Sequence, residues 1–462
     1  MLNLFTLLLA FWGMTGYEFM VDPNLKYVPQ PSYQEESDCA FGNSNYLTVW
    51  MDLRKEGETS IYCARVDENG NVLDPAGIPV TNPLYGQGHP KVAFDGTNWL
   101  VIWTRGGAIY GSRVTTDGVV LDYGGFLILG ADKFELQISF DGTNYLIVWI
   151  EDGNGWDVYA SRVDTDGIAL DPDGIEISTF SEDQKYPAVT FGGNNYLIVW
   201  KDERNLVETD VYGARLRTDG VLLDTTGIGI GISPPSDTLY HYSLNCSFDG
   251  TNYFVVWDQK LKGAGNSDIY GARVDQSGTV IDTYPFIPIS LGSSDPDHPC
   301  VSFDGINYYV VWEDDRVSYQ DLYGTQVTPD GSVVNPNGTP ISTEQYDQIY
   351  PAIDGGNSTS LIVWEDHRYG DTNADPPDVF GARINLNGTV VDPEGICIST
   401  AAYQEFTPQA SFNGNNYLVV WEDFRNWEDA EDRVQPDIYG ARITPSGVNL
   451  DPTGTPILNR LS

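Results

Sequence analysis

The chain has 462 residues and a formal net charge of −42, from 66 Asp and Glu against 24 Lys and Arg. That balance argues against a nucleic-acid partner, since phosphate binding needs clustered cations. It suits a saline or calcium-rich exterior, which screens such a charge. With 48 Gly, 27 Pro and 13% aromatic residues, the composition points to a turn-dense, all-β chain with ample apolar material for a core.

Residues 1–16, MLNLFTLLLAFWGMTG, form the only long apolar segment. A helical span usually takes about 20 apolar residues, so this one is too short to cross a bilayer comfortably. It resembles the apolar region of a secretory signal, although a basic start and a small-x-small cleavage site are missing. Export is the expected reading, and a retained tail that anchors or polymerises the protein is the alternative. Residues 17–34 read as an extension and 35–462 as one domain, with no membrane span in it.

Eight apolar runs then close on tryptophan: Trp50, Trp103, Trp149, Trp200, Trp257, Trp312, Trp364 and Trp421, spaced 46 to 57 residues apart. Repeats of that length are supersecondary units that bury their faces only by stacking on neighbours. Four strand signals recur in each. The first ends in Phe before an Asp/Gly/Asn turn, as in AVTFGGNN (188–195), and the turn residues supply a tight hairpin. The second is NYLIVW (195–200) and its equivalents, apolar on both parities. The third is DVYGARL (210–216) or DIYGARI (437–443), and the fourth runs from a TDG, PDG or PSG turn through DPxG to GIxIS. Four antiparallel strands and a linker describe a propeller blade, and eight units permit ring closure, which removes sheet edges. The expected fold is an all-β, eight-bladed β-propeller of four-stranded antiparallel blades. An open solenoid is the alternative.

FDGTNYLIVW (140–149), DIYGARV (268–274) and LDPDGI (170–175) carry a family resemblance. The chain resembles, over about residues 35 to 458, the repeats of secreted propeller-forming proteins of bacteria and archaea. That resemblance implies the fold and an extracellular setting, and it transfers no catalytic residue. Repeat two departs most: Thr104-Arg105-Gly106-Gly107 stands where the others have an acidic step, so its loop between strands two and three is expected to be minimal.

That loop carries nearly all the length variation, from 7 to 18 residues between each Trp and its third-strand aromatic. Insertions on one face of a repeat protein mark its binding face. Units seven and eight have the longest loops, EDHRYGDTNADPPD (365–378) and EDFRNWEDAEDRVQPD (422–437). Their carboxylates Asp371, Asp375, Glu428, Asp429, Glu431 and Asp432 are candidate calcium ligands, since calcium takes about six to eight oxygens. No DxDxDG loop is present, and a solvated acidic loop is the competing reading. Trp156, Tyr319, Tyr369 and Trp427 on the same rim are candidates for stacking on sugar rings or anchoring a protein.

Other motifs read as structure. An Asp two after the Trp and an Arg four after it recur together in five units: Asp52/Arg54, Asp202/Arg204, Asp314/Arg316, Asp366/Arg368 and Asp423/Arg425. A second Arg ends the third strand in seven. Charges repeated in nearly every blade suit a bidentate brace within or between blades better than a catalytic centre, of which one suffices. His89 and His298 precede prolines in units two and six, which places them far apart around a ring. Cys39, Cys63 and Cys246 sit at packing positions; for these and for Cys300 and Cys397 buried thiols are the default and a disulfide is the alternative. No GxSxG, P-loop or HExxH occurs.

The function expected is a secreted or cell-surface, non-catalytic propeller acting in assembly, adhesion or protein binding, with self-assembly included and calcium as the one candidate cofactor. The alternatives are a glycan-binding lectin and a carbohydrate-active hydrolase or lyase; no catalytic residue is assigned.

Overall fold

The computed structural model describes residues 34–55, 58–84, 86–130, 132–153, 155–205, 209–232, 239–240, 243–261, 266–291, 294–356, 358–370, 377–399, 404–425 and 437–457. The segment expected at 1–16, and nearly all of 17–34, lie outside them. Among the described residues there is no helix, and hence none long and apolar enough to cross a membrane. Eight antiparallel sheets follow one another, each made of consecutive strands. In blade 6 these are Asp297–Phe303, Tyr308–Asp314, Asp321–Val327 and Thr339–Ser342. First strands of successive blades adjoin all the way round, and that of blade 8 (Glu405–Phe412) adjoins that of blade 1 (Gln34–Gly42). The protein is an eight-bladed β-propeller.

The sequence pattern of the second strand follows from this ring. Tyr308–Asp314 is buried at every residue, because both faces of the blade meet a neighbour. The core is accordingly divided into eight clusters, one per seam. Each repeated Trp, at most 1% exposed, packs against the blade before it. Trp200, for example, lies with Leu146, Val148 and Ala160 of blade 3. Trp50 closes the ring on Leu418, Val420 and Ile438 of blade 8.

Two arginines turn the recurrent charges into fasteners. Arg316 donates through Nε to Asp314 Oδ1 at 2.9 Å and through Nη1 to the Asn337 carbonyl at 2.8 Å, while its guanidinium lies 3.7 Å over the Tyr323 ring. Trp312 Nε1 donates to the same carboxylate at 3.1 Å. Blades 4, 7 and 8 repeat this with Arg204, Arg368 and Arg425, so the expected brace lies within these blades, and Arg204 and Arg425 also reach Ser178 and Ser399 of the blade before. The side chain of Arg54 is outside the described residues.

The arginine that ends the third strand works across the seam. Arg215 grips Asp224 with Nε and Nη2, at 2.8 and 2.9 Å, and its Nη1 reaches the Gln276 carbonyl of blade 5 at 2.8 Å. Arg65, Arg113, Arg162, Arg273, Arg383 and Arg442 make the same pair with Asp74, Asp122, Asp171, Asp282, Asp392 and Asp451. In blade 6 Gln326 stands in for the arginine and donates to the Leu386 carbonyl of blade 7 at 3.0 Å. At the closing seam Arg442 Nη1 points to the Glu68 carbonyl of blade 1, at 3.5 Å. Among the described residues no strand is exchanged between blades 8 and 1. Side-chain packing, this latch and the Tyr46 hydroxyl, 2.8 Å from the Asn416 carbonyl, join the two ends.

Two expectations meet the structure here. The loop of repeat two is indeed minimal: Gly106 and Gly107 alone join Asn98–Arg105 to Ala108–Thr115, at φ 57° and 78°. Cys63 is buried, and Cys39, Cys246 and Cys300 pack against seam clusters, where burial pushes their thiols up, as the buried default expects; Cys397, on an outer edge strand, is exposed, contrary to it.

Arg442→Met leaves the Asp451 carboxylate, 14% exposed, without its cation at the seam that has no shared strand. We expect a loss of about 2–4 kcal/mol in urea unfolding, with faster amide exchange in Asp437–Ile443. Unchanged stability would contradict the latch.

Candidate functional site

Blade symmetry fails at one place, the inner edge. Each first strand is longer than its sequence signal suggests: in blade 4 it runs Gln184–Phe191 and slips register between Lys185 and Ala188. The slip centres on a residue in the left-handed region, where side chains rarely sit without cost. Seven blades place one there: Glu36, His89, Glu135, Tyr186, His298, Tyr350 and Thr407, at φ 48° to 58°. In five of them a proline follows. A bulge of this kind re-aims side chains, and here it turns three positions per blade toward the inner edge. They are the kinked residue, the one before it and the residue after the Trp, which face each other as Lys185 and Lys201 in blade 4.

The residue after the Trp is a glutamate in the last three blades: Glu313, Glu365 and Glu422. One oxygen of each accepts the N–H of the kinked residue in the next blade, from Tyr350 at 2.8 Å, Thr407 at 2.7 Å and, across the closing seam, Glu36 at 2.9 Å. Burial pushes Glu365 up to about 8 and also raises Glu313 and Glu422. Elsewhere, burial and then the charge of Asp314 or Asp366 push Asp321 and Asp378 up to about 7.

Blades 2 to 6 enclose a cavity of about 1190 Å³ on the axis. One wall is aromatic: Phe134, Trp156 and Tyr186, the first two edge-to-face with ring centres 5.2 Å apart. Lys185 and Lys201 stand beside it, their ammonium groups 6.0 Å from the Trp156 ring and 5.9 Å from the Tyr186 ring. Lys91, His89 and His298 complete the basic side. Three of the chain's eight lysines therefore line one cavity in a protein of net charge −42. Glu36 holds His89, Oε1 to Nδ1, at 2.9 Å, and this hydrogen bond raises the imidazole pKa. The neighbouring carboxylates of Asp297 and then Glu313 push His298 up to about 10.

Of the rim candidates, Trp156 lies in this cavity. Tyr319 packs on Tyr346 at 5.2 Å and is 40% exposed, and Tyr369 is 60% exposed; neither lines it. Trp427 and the calcium candidates Asp371, Asp375, Glu428, Asp429, Glu431 and Asp432 lie outside the described residues. His89 and His298, expected far apart, line the same cavity, because the kink aims both at the axis. Sequence reasoning missed Phe134, Tyr186, Lys91, Lys185 and Lys201. A signal was present: the residue after the Trp reads Met, Thr, Ile, Lys, Asp, Glu, Glu, Glu through the eight repeats.

No family model matches the chain, and no curated protein matches it. Among solved structures it is similar to a prolyl endopeptidase, at 12% identity and TM-score 0.46 over 94% of this chain and 51% of that one. It is likewise similar to the propeller domain of the trilobed protease from Pyrococcus furiosus (12%, TM-score 0.45, 79% of this chain and 98% of that one). An α-L-arabinofuranosidase from Lactobacillus brevis is matched at 10% and TM-score 0.33, over 59% of this chain and 95% of that one. The chain spans about half the length of the endopeptidase.

The raised carboxyls give a pH test. Between the ordinary carboxylate range and about pH 8, folded Glu365, Asp321 and Asp378 keep protons that the unfolded chain has released. Stability therefore falls as pH rises through that window. Glu365→Gln, which keeps the acceptor for Thr407, should be near neutral at pH 4.5 and stabilising by about 1–3 kcal/mol at pH 9. Thermal unfolding at both pH values checks it; equal effects at the two would contradict the assignment.

Proposed function

We propose that the protein is a non-catalytic binding propeller, working outside the cell or on its surface in adhesion, and that it takes a glycan in the axial cavity. We group it with the secreted repeat propellers of bacteria and archaea. The observation that carries the reading is the Phe134–Trp156–Tyr186 wall beside Lys185 and Lys201. Aromatic faces stack on the apolar faces of sugar rings, while ammonium groups bind ring hydroxyls or carboxylates. The apolar segment at 1–16 and the charge of −42 support the extracellular setting. Against hydrolysis stands the position of Glu313, Glu365 and Glu422, each with an oxygen committed to a backbone N–H of the next blade.

Glycan-array binding followed by titration calorimetry tests this. Trp156→Ala should weaken the best glycan by about tenfold or more, the effect of losing a stacking hot spot, without changing the melting temperature. Undiminished binding by that variant, or release of cleaved sugar during incubation, would overturn the proposal.

A further inference from the structure

Among the described residues, blade 6 alone places three ligating groups in its axial positions. Asp297 Oδ1, His298 Nδ1 and Glu313 Oε2 all lie within 4.8 Å of one another. The imidazole nitrogen is 3.5 Å from the aspartate oxygen and 3.6 Å from the glutamate oxygen. Those separations are long for hydrogen bonds. They are close to the edge of a tetrahedron, about 3.4 Å for bonds near 2.1 Å, and wider than the roughly 3.0 Å edge of an octahedral magnesium shell. A second observation points to a missing partner: Asp297 Oδ1 is buried and accepts no hydrogen bond. Glu313 is oriented from behind, since its other oxygen accepts the Tyr350 N–H and its side chain is only 4% exposed.

Blade 2 supplies an internal comparison. It has the same kinked histidine, His89, but Gly88 stands where Asp297 is and Thr104 where Glu313 is. His89 is satisfied instead by Glu36 of the neighbouring blade. We propose that Asp297, His298 and Glu313 form a zinc site on the wall of the axial cavity. One nitrogen and two carboxylate oxygens suit a divalent first-row ion better than calcium or magnesium, which prefer all-oxygen shells. Because His298 lines the cavity, the fourth position opens toward whatever occupies it. The site goes beyond glycan binding and stands or falls without it.

The test uses the full chain, stripped with chelator and titrated with zinc chloride by calorimetry. One saturable site per chain is expected, unaffected by excess magnesium. His298→Ala and Glu313→Gln should each weaken it by about tenfold or more, and His89→Ala should leave it unchanged. Glu313→Gln keeps the oxygen that accepts from Tyr350, and the His298 side chain is 52% exposed, so both variants should melt with the parent protein in chelator. If Glu313→Gln melts early, His298→Ala decides alone. No saturable zinc, or binding that persists in His298→Ala, would overturn the proposal.

Discussion

A blade of this protein cannot stand alone, because the Trp of its second strand is buried against the blade before it. The second strand is buried on both faces, so the apolar surface of any blade is satisfied at two seams. A chain of such units ends with two bare faces unless it closes. Closure here joins Trp50 and Tyr46 to Leu418, Val420 and Ile438 without a shared strand. The arginine latches act on the same seams. Their Nη1 groups reach carbonyls of the following blade, or for Arg113 the Asp166 carboxylate there, and Asp partners hold them in place. Packing supplies the driving force, and the bidentate pairs fix the angle between blades.

That constraint decides where chemistry can vary. Residues that face a seam are tied to their counterparts and recur in nearly every repeat. The kinked inner edge is less constrained, since its side chains face the axis and the contacts they make to the next blade differ from seam to seam, as with Glu313 to the Tyr350 N–H and Glu36 to His89. Phe134 and Ile150, Lys185 and Lys201, Asp297 and Glu313 occupy equivalent places in different blades. A symmetric scaffold thereby carries an asymmetric inner edge, with an aromatic and basic cavity wall in blades 2 to 4 and Glu313, Glu365 and Glu422 in blades 6 to 8.

The fold was legible in the sequence because seam packing repeats. Trp spacing counted the blades, NYLIVW marked the doubly buried strand, and the recurrence of Asp314/Arg316 and its relatives identified a brace. The site was legible only in part. Length variation led to the loops after Trp364 and Trp421 and to Trp156, whereas the axial residues vary by substitution at constant length. The kink is hidden as well. A proline after His89, Tyr186 or His298 reads as the start of a strand, yet the strand begins earlier and bends there. Distance along the ring misled in the same way, because His89 and His298 in blades 2 and 6 both turn to the axis.

The central claim is that repeated residues hold the ring while the non-repeating axial residues bind. It is tested most directly by a library of all single substitutions, displayed on cells and sorted first for folded protein, then for retention on mixed polysaccharides. The account predicts that changes which lose retention but not folding concentrate at Lys91, Phe134, Trp156, Lys185, Tyr186 and Lys201. Concentration instead on the outer strands, or around Tyr319 and Tyr369, would contradict it.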